Sequence, residues 1–91
     1  MRAGSSRFYF MMRAMPSLRI GQYRFHFYAS DRGEPPHVHV LRDRSAAKFW
    51  LNPVILDREI GFRPREIQLI ERLVMENQET LLRMWDEYFV E

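Results

Sequence analysis

The sequence predicts an α+β fold: an antiparallel sheet of about four strands, with one long or two shorter C-terminal helices packed on one of its faces. Three observations lead there. From Leu18 to Leu51 apolar and polar residues alternate at the period of two that a half-buried strand requires. Glycine, proline and aspartate break these runs at short intervals, as turns between antiparallel strands do. From Pro64 onward the apolar period changes to that of an amphipathic helix. With 91 residues and 46% hydrophobic content, the chain can bury one modest core, so one domain over residues 15–91 is expected.

The runs "SLRI" and "YRFHFYA" flank Gly21-Gln22, a two-residue connection with glycine first, as a type II′ hairpin prefers. "SDRGEPP" is a turn-rich loop, because Gly33 permits positive φ while Pro35 and Pro36 stiffen the return and withhold donors. "HVHVLR" and "AAKFWL" follow as the third and fourth strands. Residues 52–62, "NPVILDREIGF", read as an irregular connector, with Pro53 ending the fourth strand. Pro64 then suits the first helical position, and Glu66 in the first turn complements the helix dipole. The apolar stripe from Ile67 to Phe89 stays in phase, yet one helix of that length would run roughly 40 Å. Because Asn77 falls within the stripe, a break near it is expected.

Alternation also assigns faces. If Phe25 and Phe27 face the core, Val38, Val40, Phe49 and Leu51 share it, since neighbouring strands must agree on which face is buried. His26, His37 and His39 then lie on the opposite face with Arg24, Tyr28, Leu41, Lys48 and Trp50.

The absence of cysteine excludes disulfides and thiolate zinc sites, so any metal must use nitrogen and oxygen ligands. No apolar run approaches the roughly 20 residues of a membrane span, and the N-terminus lacks a secretory pattern; a cytoplasmic protein without membrane contact is expected. Residues 1–14 carry Arg2, Arg7 and Arg13 and no acid, and are read as an extension outside the essential fold: a flexible arm, an added edge strand, or the product of an upstream start. Residues 57–91 hold nine carboxylates against five arginines, whereas residues 15–48 are net basic, so a basic sheet end opposes an acidic helical end.

Three kinds of chemistry fit these residues. His37 and His39, two apart on one strand face, can ligate a divalent metal if His26, Asp31 or Glu34 supplies a third ligand, and can otherwise hydrogen-bond the proline loop. The same two histidines are candidate catalytic acid and base groups for RNA cleavage, with Arg24, Tyr28, Lys48 and Trp50 as a nucleic-acid-binding surface of charge and stacking. Trp85, Tyr88 and Phe89 on the last helix are candidate contacts for a small protein partner or a second copy.

"YRFHFYASDRGEPPHVHV", "AAKFWLNPV", "GFRPREIQLIERLV" and "LLRMWDEYF" resemble the small bacterial proteins of the domain of unknown function 4160 (DUF4160) family, whose hallmark is a proline-proline-histidine-x-histidine segment after an aromatic strand. The resemblance covers residues 15–91 and implies a start near Met15. It also implies a component of a toxin-antitoxin-like pair acting through protein contact, with RNA or metal chemistry on the His37/His39 face as the alternative. His37 and His39 match the family pattern. His26 stands where an aromatic residue is common, and Arg63 where a capping Ser or Asn is common, so the first sits outside a shared site and the second alters only the local cap.

Overall fold

The computed structural model describes residues 16–90. Five antiparallel strands lie in chain order: β1 (Ser17–Ile20), β2 (Tyr23–His26), β3 (His37–Arg42), β4 (Ser45–Leu51) and β5 (Val54–Ile60). A short 3-10 turn (Ala29–Asp31) sits in the loop between β2 and β3. Two helices follow, α1 (Pro64–Glu76) and α2 (Gln78–Tyr88). The α+β class is therefore as the sequence predicts. The extension expected over residues 1–14 lies outside the described residues.

Face parity holds across the sheet. Tyr23, Phe25, Phe27, Val38, Val40, Phe49 and Leu51 are buried on one face, where Ile70 and Val74 of α1 and Leu81 and Trp85 of α2 cover them. Each fully buried aliphatic or aromatic side chain contributes about 1.5–3 kcal/mol relative to exposure. A helix approaches the opposite face at its His37 end, where the Trp85 ring of α2 lies 5.1 Å from that imidazole, while Arg19, Arg24 and Arg58 on the same face are exposed. Registers align that open face into rows: Arg19, Arg24, Leu41, Ala46 and Ile60 in one, then Ser17, His26, His39, Lys48 and Arg58, then His37, Trp50 and Ile55.

One expectation needs correction: the sheet has five strands, because the segment read as an irregular connector pairs with β4 as β5. Its alternation is concealed by a bulge. Lys48 opposes Arg58 and Phe49 opposes Leu56, so Asp57 is an extra residue that shifts the period by one. The helical stripe does break where expected. Asn77 leaves helical geometry at φ −111° and its side-chain amide donates to the Leu73 carbonyl at 2.8 Å, ending α1. Gln78 then ties the start of α2 to β4 through a 2.6 Å bond to the Leu51 carbonyl. At the other end of the sheet, Tyr23 and Arg42 both donate to the Glu66 carboxylate, fastening β2 and β3 to the first turn of α1.

Candidate functional site

Two prolines deliver the chain into β3 so that His37 and His39 emerge on the open face, while the 3-10 turn folds Asp31 back over them. Asp31 is held there reciprocally. Its own amide donates to the Tyr28 carbonyl at 2.9 Å, and the Tyr28 amide donates to Asp31 Oδ2 at 2.8 Å. Asp31 Oδ1 then lies 3.1 Å from His37 Nε2 and 3.3 Å from His39 Nε2, and Oδ2 is 3.1 Å from His39 Nε2. All three ligand atoms fall within 4.8 Å of one another.

The decisive atom is His37 Nε2. The ring is fully buried, and its Nδ1 sits 2.9 Å from the Pro35 carbonyl. A carbonyl only accepts, so Nδ1 carries a proton and donates it to Pro35, and Nε2 is the atom that faces Asp31. Although Asp31 Oδ1 is near, Nε2 has no hydrogen-bond partner of acceptable geometry. Nε2 and the carboxylate thus face each other across 3.1 Å in a buried place without a well-directed bond, a gap that a proton on Nε2 or a metal cation can fill.

Charge states agree with this geometry. Burial lowers the His39 pKa below the ordinary histidine value, and the Asp31 bond works against that shift without reversing it. Burial works to raise the Asp31 pKa, but the Tyr28 amide and the two histidines outweigh it and hold the carboxyl below the usual carboxylate value. At neutral pH the aspartate is therefore ionised and His39 neutral, the forms in which both ligate metals.

The remaining candidates are distributed unequally. Glu34, an alternative third ligand, instead accepts from Lys48 Nζ at 2.9 Å and stays 3.7 Å from His37 Nδ1. His26 pairs with His39 across the strands and packs edge-on against Tyr28, so its ring reaches neither Asp31 nor His37 in a bond. Burial, then the Arg24 charge, lowers its pKa. Arg24, Tyr28, Lys48 and Trp50 do share the open face. Of these, Arg24 is exposed, whereas Lys48 is buried beneath Glu34 and lies 4.5 Å over the Trp50 ring. Tyr28 is half-buried with its ring 4.6 Å from that of His39.

Trp85 is placed in the core, 5.4 Å from Phe27 and 5.1 Å from His37, because α2 turns that face onto the sheet. It is not available at the surface as a partner contact; Tyr88 and Phe89 are half-buried beside it. Arg58 and Arg19, which alternation in the sequence does not single out, also belong to the open face. The concealed bulge hides the first, and the second has too short a strand around it to assign a face from sequence.

An α+β domain whose open sheet face brings two histidines and an aspartate to one point is the class that fold and site define. The chain belongs to the family described as domain of unknown function (DUF4160), whose pattern matches residues 23–86. That span takes in all three converging residues. Comparison with curated proteins and with solved structures gave no match.

Proposed function

We propose that this protein binds one divalent transition-metal ion through Asp31 Oδ1, His37 Nε2 and His39 Nε2, and that its activity depends on that ion. The observation that carries the reading is the buried, unpartnered Nε2 of His37 aimed at an ionised carboxylate. Ligands about 2.0–2.2 Å from a tetrahedral ion stand roughly 3.3–3.6 Å apart, slightly wider than the 3.1 and 3.3 Å that separate Asp31 Oδ1 from the two rings. Donation from His37 Nδ1 to the Pro35 carbonyl and from the Tyr28 amide to Asp31 supplies the outer contacts that orient such ligands. Two imidazoles and one carboxylate suit zinc, iron or nickel better than magnesium or calcium. Three protein ligands leave a coordination position for water or substrate, the pattern of catalytic centres more than of purely structural ones.

Calorimetric titration of metal-free protein with zinc, nickel and manganese, with histidine resonances followed by NMR, tests this. Saturable one-to-one binding with shifts at His37 and His39 is expected, weakened at least 10-fold by Asp31→Ala and unaffected by His26→Ala. No saturable binding of any of the three ions would sink the reading.

A protein-contact role, as one half of a toxin-antitoxin-like pair, draws support from β5. Ile55 and Ile60 of that edge strand are 52% and 69% exposed, and an edge offers unpaired backbone groups to another chain. Light scattering on the purified chain with Ile60→Lys beside it tests self-association: a monomer in both removes that form of contact.

A further inference from the structure

Arg19 and Arg24 are directly opposed across β1 and β2 on the open face, and both are exposed. Like charges in that position destabilise a sheet. Among the described residues neither arginine meets a carboxylate. The two guanidinium groups line a recess of about 250 Å³ together with Gln22, Leu41, Arg42 and Asp43; Asp43 is engaged with Arg42 at 3.4 Å.

A second recess of about 290 Å³ lies further across the same face, with His39, Lys48, Arg58 and Glu59 in its wall. Arg58 is exposed and has no ion pair among the described residues. From Arg24 to His26, beside His39, is two strand residues, about 7 Å, comparable to the separation of adjacent phosphates in an extended single strand.

We infer that the open sheet face binds single-stranded nucleic acid, with one backbone phosphate seated between Arg19 and Arg24 and the strand running toward Arg58 and His39. The opposed arginine pair and the exposed Arg58, with Leu41, Trp50 and Ile55 between and beside them, set cations and apolar surface on one face, as a backbone flanked by bases requires. A duplex is disfavoured by shape, since its major groove admits a helix or a two-stranded ribbon and not the face of a five-stranded sheet. Flat sheet faces receive single strands with the bases splayed over them. The inference rests on the metal reading for any chemistry at His39, and not for the binding itself.

The test is fluorescence anisotropy with a labelled 12-nucleotide single-stranded RNA, in chelator so that metal plays no part. Binding that weakens at least 10-fold in Arg19→Gln/Arg24→Gln is expected, with the slope of log affinity against log salt falling by about 0.7 for each phosphate that the variant no longer neutralises. The variant relieves a like-charge opposition, so its melting temperature should equal or exceed that of the parent; a melt confirms that a weaker signal does not come from unfolding. Unchanged RNA affinity in the variant overturns the inference, as does equal displacement of the RNA by poly-glutamate. RNA binding in a protein that takes up no metal removes the metal reading and leaves this one standing.

Discussion

His37 and His39 differ by two positions and by almost everything else. His37 is fully buried, bonded to Pro35 and packed between the Trp50 and Trp85 rings, whereas the His39 side chain keeps 18% of its surface in water. The sequence alone makes them equivalent, since alternation places both on one face and says nothing about which is roofed over. Their substitutions should part company. His39→Ala should abolish metal binding while changing stability by no more than about 1 kcal/mol. His37→Ala should also cost about 2–4 kcal/mol, because it removes a fully buried, packed ring and its bond to the Pro35 carbonyl. His37→Asn, whose amide nitrogen can take the place of Nδ1, should restore part of that stability without restoring the metal. Urea denaturation of the three variants separates these effects; equal destabilisation by His37→Ala and His39→Ala would contradict the difference in burial. Asp31 is one of three third-ligand candidates in the sequence. What selects it is the fold-back of the 3-10 turn, a tertiary event that spacing does not encode.

At the level of elements, the sheet and helices are legible where one period runs undisturbed and illegible where a single residue interrupts it. Tyr23, Phe25 and Phe27 announce their face; Val54 to Ile60 does not, because the extra Asp57 changes the phase halfway along. Gly61, which closes β5, carries a sharper constraint. Its φ is +90°, and a Cβ there would lie 2.5 Å from Ser45 Oγ and 3.2 Å from the Ser45 Cα. Gly61→Ala should therefore destabilise by more than about 1 kcal/mol, measurable as a lowered denaturation midpoint. The tie between sheet and α1 predicts a pH response. Arg42 first, then Tyr23, holds the Glu66 pKa below its ordinary value. Stability from that carboxylate is present above the unfolded-state pKa of about 4.3 and is lost as pH falls through the lower folded value. Glu66→Gln should lower the melting temperature at neutral pH and reduce its fall on acidification; parallel curves for both proteins would show that the tie contributes nothing.

For the molecule as a whole, charge and architecture divide along the same line. The helices carry six of the twelve acids, while the open face presents Arg19, Arg24 and Arg58, so the field of the molecule favours approach of a polyanion from the sheet side. This polarity is readable from the sequence by segment; its alignment with one face is not, since it depends on five strands in register. An ion held by the native state and not by the unfolded chain should stabilise globally by about 2.7 kcal/mol at a hundred times its dissociation constant. For a domain of this size that is a rise in melting temperature of roughly 10–20 °C. A thermal melt with zinc should show it, and Asp31→Ala should not respond. The position of His37 between two indoles adds something else. Trp50 and Trp85 are the only tryptophans in the chain, and their ring centres lie 5.5 and 5.1 Å from that imidazole. All of the protein's indole emission thus originates beside one proposed ligand, so if the site takes up a paramagnetic ion such as nickel the whole spectrum should darken as it arrives, an optical gauge of occupancy that needs no label.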